Sequence, residues 1–397
     1  MKKGWEIRNL GDVCKLTRGH NPPKSKFINE PRDGYIRFYQ IRDGWAEDYA
    51  VYVPDSPQLH KVNPDEFLMV AYRHIGKVFR GVSGAFNVAL CKISISKRNL
   101  LNDDFLFYMI PTEIIRGELL KRSERSLIPS MSVEHLKEIP IPIPTLPEQQ
   151  SIVAILDEAF EAINQAKTNT EKNLQNAKEL FQSELNIIFT KKGEGWVEKK
   201  LNEICEVKDG THDSPRYIPD GIPFITQKNI RIEGLSFDNT RFITQVDHEK
   251  FYKRSNVAYG DILISMIGAN RGMACIVDDE RIFSIKNVGL VKANKDINPN
   301  YILYFLKSQR AVSYVKSFSK GGAQEFIGLT ELRSFPVPIA PTNDQQRIVN
   351  QLDTLSLETK QLEENYRKKL ESLEELKKSI LQKAFSGELT TVKEIAL

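Results

Sequence analysis

The sequence has few cysteines and no long apolar run. Its four cysteines lie far apart, without a CxxC pair and without histidines at metal-ligand spacing. This distribution argues against a structural zinc site and a disulfide framework, so we expect reduced thiols in a cytoplasmic protein. No stretch of about 18 apolar residues occurs, and no apolar segment follows the charged N-terminus. The sequence therefore predicts neither export nor a membrane span.

The reactive motifs of common enzyme classes are also missing. Residues 75–78 lack the upstream glycine and the hydroxyl residue of a phosphate-binding loop, and no Gly-x-Ser-x-Gly motif occurs. Residues 21–24 resemble the loop with which amino-methyltransferases hold a flipped base, but Lys24 stands where an aromatic ring would stack. No carboxylate pair with a following lysine suits a metal-dependent nuclease. We expect no catalytic site and no metal site.

The composition is that of an ordinary globular protein. Of 397 residues, 41% are hydrophobic, and 56 Lys and Arg against 52 Asp and Glu leave a net charge of +4. This length allows two to four domains, each with its own core. A small positive charge permits a nucleic-acid partner without requiring one.

The chain contains an internal repeat of about 195 residues. Four residues of the N-terminal segment, Trp5, Leu10, Cys14 and Gly19, recur in the same order as Trp196, Leu201, Cys205 and Gly210. The proline-rich residues 139–142 recur at 335–338, and the Glu-Gln-Gln of 148–150 recurs as Asp-Gln-Gln at 344–346. The sequence therefore predicts two tandem domains with the same internal order.

Short apolar runs between turn residues predict that each domain is α+β. Strands are predicted over 67–72, 87–95, 224–226 and 261–267, and helices over 105–115 and 301–316. After the prolines the pattern becomes wholly helical, because residues 148–189 contain neither proline nor glycine.

Apolar residues recur at heptad spacing in both helical segments. In the first they are Ile152, Leu156, Ala159, Ile163, Ala166, Thr170, Asn173, Ala177, Phe181, Glu184 and Ile188, with three polar exceptions. In the second they are Ile348, Leu352, Leu355, Thr359, Leu362, Tyr366, Lys369, Leu373, Leu376, Ile380 and Ala384. Equal length and position in the repeats favour two helices that pack on each other as a coiled coil. An amphipathic helix packed on its own domain remains the alternative.

Basic and amide side chains gather in loops where the predicted strands end. Such residues bind phosphates and base edges when a rigid scaffold positions them. The candidates in the first repeat are Arg18, His20, Lys24, Arg42, Arg73, His74, Lys77, Arg122 and Arg125. Those in the second are Lys208, Thr211, His212, Gln227, Lys228, Asn229, Asn270, Arg271, Lys320 and Gln324. Loops that are equivalent in place and different in sequence favour two readers of different DNA sequences.

The ordered features resemble the specificity subunit of type I restriction-modification systems over essentially the whole chain. They are the repeated Gly-Trp openings, the loop 209–215, the segments 222–225 and 322–324, the repeated Pro-x-Pro exits, and residues 385–389. The first repeat departs from the family loop, because residues 19–22 read Gly-His-Asn-Pro. The resemblance implies target recognition domains over 1–145 and 193–341. It also implies that residues 146–192 form the first conserved helix of the family, and that residues 342–397 form the second conserved helix and a C-terminal tail. The two helices would form an antiparallel coiled coil with pseudo-two-fold symmetry.

The same resemblance implies a non-catalytic, DNA-binding role in defence against foreign DNA. Each domain would read half of a bipartite site, and the helices would set the spacer and dock two modification subunits. Those subunits would bind S-adenosylmethionine, and restriction subunits would use ATP and Mg²⁺. Two alternatives remain: recognition for a two-component system whose other chain carries methylase and nuclease, or a coiled-coil scaffold that binds no DNA.

Overall fold

The chain folds into two units, each of which combines an α+β domain with parts of two long helices. The computed structural model describes residues 4–44, 50–123, 130–191, 193–268, 270–317 and 326–388. Unit 1 comprises residues 1–170 and 368–397, and unit 2 comprises residues 171–367. The predicted boundaries separate domains from helices, whereas the compact units divide each long helix between them, since each end of a helix packs on a different domain.

The elements of the first domain alternate between short strands and short helices. The strands are β1 Glu6–Asn9, β2 Cys14–Arg18, β3 Tyr35–Tyr39, β4 Tyr52–Pro54, β5 Lys61–Val62, β6 Phe67–Val70, β7 Val78–Arg80, β8 Gly84–Phe86, β9 Leu90–Ile95 and β10 Pro140–Ile143. The helices are α1 Leu10–Val13, α2 Asp103–Met109, α3 Glu113–Ser123, α4 Val133–Lys137 and the long α5 Leu146–Lys191.

The second domain repeats this order, except that the helix α7 (Gln245–Ser255) stands where the first domain has the strand β5. Its strands are β11 Val197–Lys200, β12 Cys205–Asp209, β13 Ile222–Ile225, β14 Arg241–Ile243, β15 Ile262–Ser265, β16 Ala274–Ile276, β17 Ser284–Ile285, β18 Val288–Ala293 and β19 Pro336–Ile339. Its helices are α6 Leu201–Ile204, α7 Gln245–Ser255, α8 Pro299–Lys307, α9 Gln309–Ser317, α10 Leu329–Arg333 and the long α11 Thr342–Ser386.

The sheets of the two domains correspond, except that β5 of unit 1 has no counterpart among the described strands of unit 2. The strand order β2-β9-β6-β7 in unit 1 corresponds to β12-β18-β15-β16 in unit 2, and both sheets are antiparallel. The pair β1-β10 corresponds to β11-β19. A further sheet has the order β4-β3-β8-β5 in unit 1 and β14-β13-β17 in unit 2, and β3 and β13 run parallel to β8 and β17. The predicted α+β repeat is confirmed.

Two predicted helices are each divided in two by the structure. The segment predicted over 105–115 forms α2 and α3, with Pro111 between them. Proline lacks the backbone N–H that a continuing helix needs. The segment predicted over 301–316 divides at Ser308, which has extended backbone angles and whose Oγ accepts a hydrogen bond from the N–H of Ala311. The predicted strands are found, shifted by up to three residues at their ends.

The long helices pair within unit 1. Ile152, Leu156 and Ile163 of α5 share one buried core with Ile380 and Ala384 of α11. The ammonium of Lys167 lies 2.7 Å from a carboxylate oxygen of Glu374. Lys377 follows Glu374 in α11, and its ammonium lies 5.0 Å from the ring centroid of Phe160, which precedes Lys167 in α5. Within this unit the two segments therefore run antiparallel.

Within unit 2 the end of α5 and the start of α11 pack on the second domain and share one core. Leu185 and Phe189 are buried there, one position beyond the predicted Glu184 and Ile188. The ring of Phe189 contacts those of Trp196, Tyr301 and Phe305. Here the buried residues recur every four positions, and the end of α5 packs on the second domain, which is not the domain that precedes it.

Several predicted heptad residues of α11 are less buried than expected. Ile348 and Leu352 lie in the core of unit 2 together with Leu185. Leu355 and Leu373 are half-buried, and Leu362 is 38% exposed. The middle of α11 therefore contributes little to a buried core.

Candidate nucleic-acid interface

In unit 1, three strands end around the turn formed by residues 87–89. Strand β2 ends at Arg18, opposite Cys91, and β6 ends at Val70, opposite Leu90. Strand β3 ends beside the end of β8, the strand that enters this turn. The loops that carry His20, Arg42 and Arg73 therefore begin at a single edge of the domain. We call it edge 1.

Unit 2 has the same arrangement around Lys286 and Asn287. Strand β12 ends at Asp209, opposite Gly289, and β15 ends at Ser265, opposite Val288. Strand β13 ends beside the end of β17. This edge, which we call edge 2, brings together the predicted loops that begin near residues 210, 227 and 268.

A glycine begins the first loop at each edge because the backbone of another strand passes close to it. A Cβ on Gly19 would lie 2.2 Å from the carbonyl oxygen of Phe86, and one on Gly210 would lie 2.3 Å from that of Ile285. Neither distance is sterically possible. The repeated glycine seen in the sequence is therefore a requirement of the crossing that positions His20 and His212.

A 3₁₀ turn presents a basic residue after each parallel strand. In unit 2, the Oδ1 of Asn229 accepts a hydrogen bond from the N–H of Thr226 at 3.0 Å, and Lys228 is exposed between them. In unit 1, the carboxylate of Asp43 accepts one from the N–H of Gln40 at 2.7 Å, and Arg42 is exposed. Two predicted residues thus occupy equivalent places.

Asn229 and Thr211 were predicted to contact DNA, but the structure buries both. Asn229 is 5% exposed, and its Nδ2 donates to the carbonyl of Ser236 and to the hydroxyl of Thr240, both at 3.0 Å. Thr211 is 6% exposed and accepts from the N–H of Asp213. Both side chains shape their loops from within.

Ion pairs with α7 hold the loop 209–214 in place. Arg254 donates to one oxygen of the buried Asp209 through Nε at 3.0 Å and Nη2 at 2.6 Å. His212 contacts the other oxygen at 3.0 Å through Nε2, and its Nδ1 lies 2.7 Å from the Oδ1 of Asn287. The ammonium of Lys250 beside Asp213 lowers the pKa of that carboxyl. Unit 1 has no counterpart of α7 among its described residues.

The loop after β6 places charge in a constrained backbone. Arg73 has a φ of +62°, in the left-handed region, and its guanidinium lies 5.6 Å from the ring of Tyr72. His74 is exposed, and burial lowers the pKa of the half-buried Lys77. Left-handed backbone at a non-glycine residue is uncommon and concentrates at functional sites.

The corresponding loop of unit 2 carries Asn270, which is exposed, and Arg271, which is half-buried. Burial also lowers the pKa of Arg18 at the end of β2.

The remaining predicted residues differ in their surroundings. Lys24 is exposed in a 3₁₀ turn over Lys24–Lys26. Arg122 lies 2.6 Å from Glu118 within α3, and Lys208 lies 2.8 Å from Glu206 on β12. Arg125, Lys320 and Gln324 lie outside the described residues.

Sequence reasoning missed a cleft beside edge 2. It has a volume of about 540 Å³, and its walls include Tyr217, Arg241, Lys286 and Asn287 together with the predicted Gln227 and Lys228. No sequence motif marks Tyr217 or Arg241, because the two residues meet only through the pairing of β14 with β13.

The four cysteines are buried in strands and do not lie in the loops of the two edges. Burial raises the pKa of Cys14, Cys205 and Cys275 to about 12, so these thiols remain protonated at neutral pH. No cluster of three or more metal-ligating side chains occurs within the ranges that the structure describes. In the same ranges, no helix is sufficiently long and apolar to cross a bilayer.

Exposed cations and amides at a rigid edge can contact phosphates and base edges.

Comparison with known proteins identifies the family. The profile of the Type I restriction modification DNA specificity domain matches residues 2–174 and 193–372. The MjaVIII specificity subunit of Methanocaldococcus jannaschii is 23% identical over 97% of this chain and 93% of its own. The EcoBI specificity subunit of Escherichia coli is 24% identical over 97% of this chain and 86% of its own.

Solved structures show the same fold. A chain described under complex assembly and conformational transition of the type I R-M system gives a TM-score of 0.74 at 19% identity, covering 98% of this chain and 99% of that chain. The HsdS subunit from Thermoanaerobacter tengcongensis gives a TM-score of 0.62 at 19% identity, with 98% of each chain covered. With two matched domains that span most of its length, the chain belongs to the family of type I restriction-modification DNA specificity proteins.

Proposed function

We propose that this chain is the DNA-recognition subunit of a type I restriction-modification enzyme, in which each domain reads one half of an interrupted site. The observation that carries this proposal is the match between edge 1 and edge 2. Equivalent strand ends position the loops at both edges, but the residues in the loops differ. The exposed basic residue after the parallel strand is Arg42 at edge 1 and Lys228 at edge 2. A tandem repeat lets one chain use the geometry of a dimeric DNA-binding protein while its two half-sites differ.

The partners follow from this role. We propose that two modification subunits dock on the long helices, with S-adenosylmethionine bound in those subunits. Restriction subunits, which use ATP and Mg²⁺, complete the enzyme, and this chain carries no catalytic group. Exposed leucines on the helices support docking: Leu180 is 48% exposed and Leu357 is 71% exposed. In unit 2 a groove of about 500 Å³ lies between Leu180 and Leu355.

Methylation mapping tests the proposal. The chain is coexpressed with the methylase encoded beside it, and methylated adenines are mapped by long-read sequencing. We expect one motif with two specified parts separated by unspecified bases. A motif with a single specified part, or no methylation that depends on this chain, would contradict the proposal.

A salt titration separates DNA recognition from the scaffold alternative. Because bound Lys and Arg release counterions from DNA, affinity for duplex DNA falls steeply as salt rises. We expect this dependence for the complex with the methylase. No DNA binding in that complex would favour the scaffold. A neighbouring gene that fuses methylase and nuclease would favour the two-component alternative.

A further inference from the structure

We infer that Arg241, oriented on the ring of Tyr217, reads a guanine edge in the half-site of unit 2. The inference rests on the proposed DNA-recognition function and names a specificity-determining residue for it. Arg241 lies outside every loop that the sequence indicated.

The position of Arg241 places it beside edge 2. It is the first residue of β14 and pairs with Phe224 of β13, one residue before that strand ends at the edge. It lines the same cleft as Gln227, Lys228 and Asn287. A base edge that enters this cleft therefore meets Arg241 together with the turn on which the other loops converge.

The charged groups of the cleft differ in whether they already have partners. Arg231 lies 3.2 Å from the carboxylate of Asp238, and Lys286 donates to the hydroxyl of Ser214 at 2.5 Å. Arg241 is exposed, and within the described part of the chain its guanidinium has neither a hydrogen bond nor an ion pair. Its N–H groups are therefore available to a ligand.

The ring of Tyr217 restricts the free guanidinium. The guanidinium carbon of Arg241 lies 4.5 Å from the ring centroid. Stacking on an aromatic face is favourable and holds the planar fork in one orientation. An arginine fork that donates two parallel hydrogen bonds matches the O6 and N7 acceptors of guanine in the major groove.

Two other stacked arginines show what a structural role looks like. Arg281 lies 3.6 Å from the ring centroid of Phe237, but it donates to Asp279 through Nε at 2.8 Å and Nη2 at 2.5 Å. Arg37 stacks on Tyr39 and donates to backbone carbonyls and to Asp43. Arg241 combines an aromatic platform with free donors, which neither of these residues does.

The test is selection from a randomised duplex library by the complete complex of this chain with its methylase. For Arg241→Ala we expect that discrimination at one guanine of the second half-site falls by about 10- to 100-fold, with the first half-site unchanged. Arg241→Lys keeps the charge and loses the fork, so we expect the same loss of discrimination with little change in overall affinity. Tyr217→Leu removes the aromatic ring on which Arg241 stacks and should weaken discrimination at the same guanine.

Two controls accompany these variants. Tyr217→Phe keeps the ring, and Arg281→Ala removes an arginine already neutralised by Asp279, so both should select the wild-type motif. Thermal unfolding of each complex confirms that the variants are folded.

The outcomes separate this inference from the proposed function. A wild-type complex that selects no motif overturns both. A wild-type motif that Arg241→Ala and Arg241→Lys retain at every position overturns only the role of Arg241. A loss of affinity that is uniform across sequences for Arg241→Ala also overturns it, because a phosphate contact has that signature.

Discussion

The amide of Gln345 at the start of α11 accepts a hydrogen bond from the backbone N–H of Asn298 at 3.0 Å. Its Nε2 donates to the carbonyl of Ala340 at 2.9 Å. Gln149 of unit 1 makes the equivalent contacts, with the N–H of Asn102 and the carbonyl of Pro144, both at 2.8 Å. The two glutamines are 1% and 0% exposed. Each fixes the start of a long helix to the domain that precedes it.

We expect Gln345→Ala to destabilise unit 2 by about 1–3 kcal/mol, because it leaves a half-buried N–H and a buried carbonyl without partners. Urea unfolding followed by circular dichroism measures the change. Gln361→Ala, on the exposed surface of the same helix, is the matched control and should change stability by less than about 0.5 kcal/mol. Equal effects of the two substitutions would show that the buried contacts contribute nothing.

Gly210→Ala tests the strand crossing at edge 2. The added Cβ would lie 2.3 Å from the carbonyl oxygen of Ile285, so the backbone must move. We expect a loss of about 1–3 kcal/mol in stability and weaker discrimination at the second half-site only. Gly117→Ala is the control, because nothing lies within 4 Å of its Cβ position on α3. That control should be neutral or stabilising by about 0.5–1 kcal/mol. If the Gly210→Ala protein kept wild-type stability and selected the wild-type motif, the claim that the crossing requires glycine at this position would be contradicted.

His248 should make the stability of unit 2 depend on pH. Burial lowers the pKa of this residue on α7, whose Nδ1 lies 2.9 Å from the hydroxyl of Ser284. Below the unfolded-state pKa of about 6.5, the unfolded chain binds a proton that the folded chain does not. Stability from this group is therefore complete above that pH and is lost as pH falls toward the lower folded-state pKa.

Urea unfolding at a series of pH values between about 7.5 and about 5 measures this effect. We expect a part of the acid-side loss of stability to disappear in His248→Gln, which cannot be protonated. Identical pH profiles for the two proteins would remove His248 as the cause.

The repeat in the sequence predicted much of this architecture, because equivalent residues of the two repeats make equivalent contacts. The sequence showed that glycine recurs at 19 and 210 and that glutamine recurs at 149 and 345, and the structure shows the contacts that require them. The end of α5 was harder to predict. Heptad spacing correctly places Glu184 beside the other helix, where its carboxylate accepts a hydrogen bond from Nε2 of Gln351 at 3.0 Å. It does not show that the aromatic residues of the second domain bury the neighbouring Leu185 and Phe189.

The candidate interface was predictable by loop and less so by residue. Basic loops at strand ends identified the edges. Within a loop, however, the sequence did not show which side chains are buried and shape the loop and which are exposed to a ligand. Asn229 is recruited by Ser236 and Thr240, whereas the adjacent Lys228 remains exposed. Arg241 could not be found from sequence, because its place depends on a strand register and on a ring 24 positions away.

The long helices provide the last prediction, because each of them passes from one unit into the other. Helix α5 leaves unit 1 after Thr170, and α11 enters it at Lys368. Seven residues inserted at both points add about 10 Å of helix and rotate the following face by only about 20°. We expect the complex with the methylase to keep both half-site sequences and to prefer a spacer longer by about three base pairs, at about 3.4 Å each. Five-residue insertions, which turn the face by about 140°, should instead destabilise the protein. Adenine-methylation mapping reads the spacer directly, and an unchanged spacer in the seven-residue variant would show that the helices do not set it.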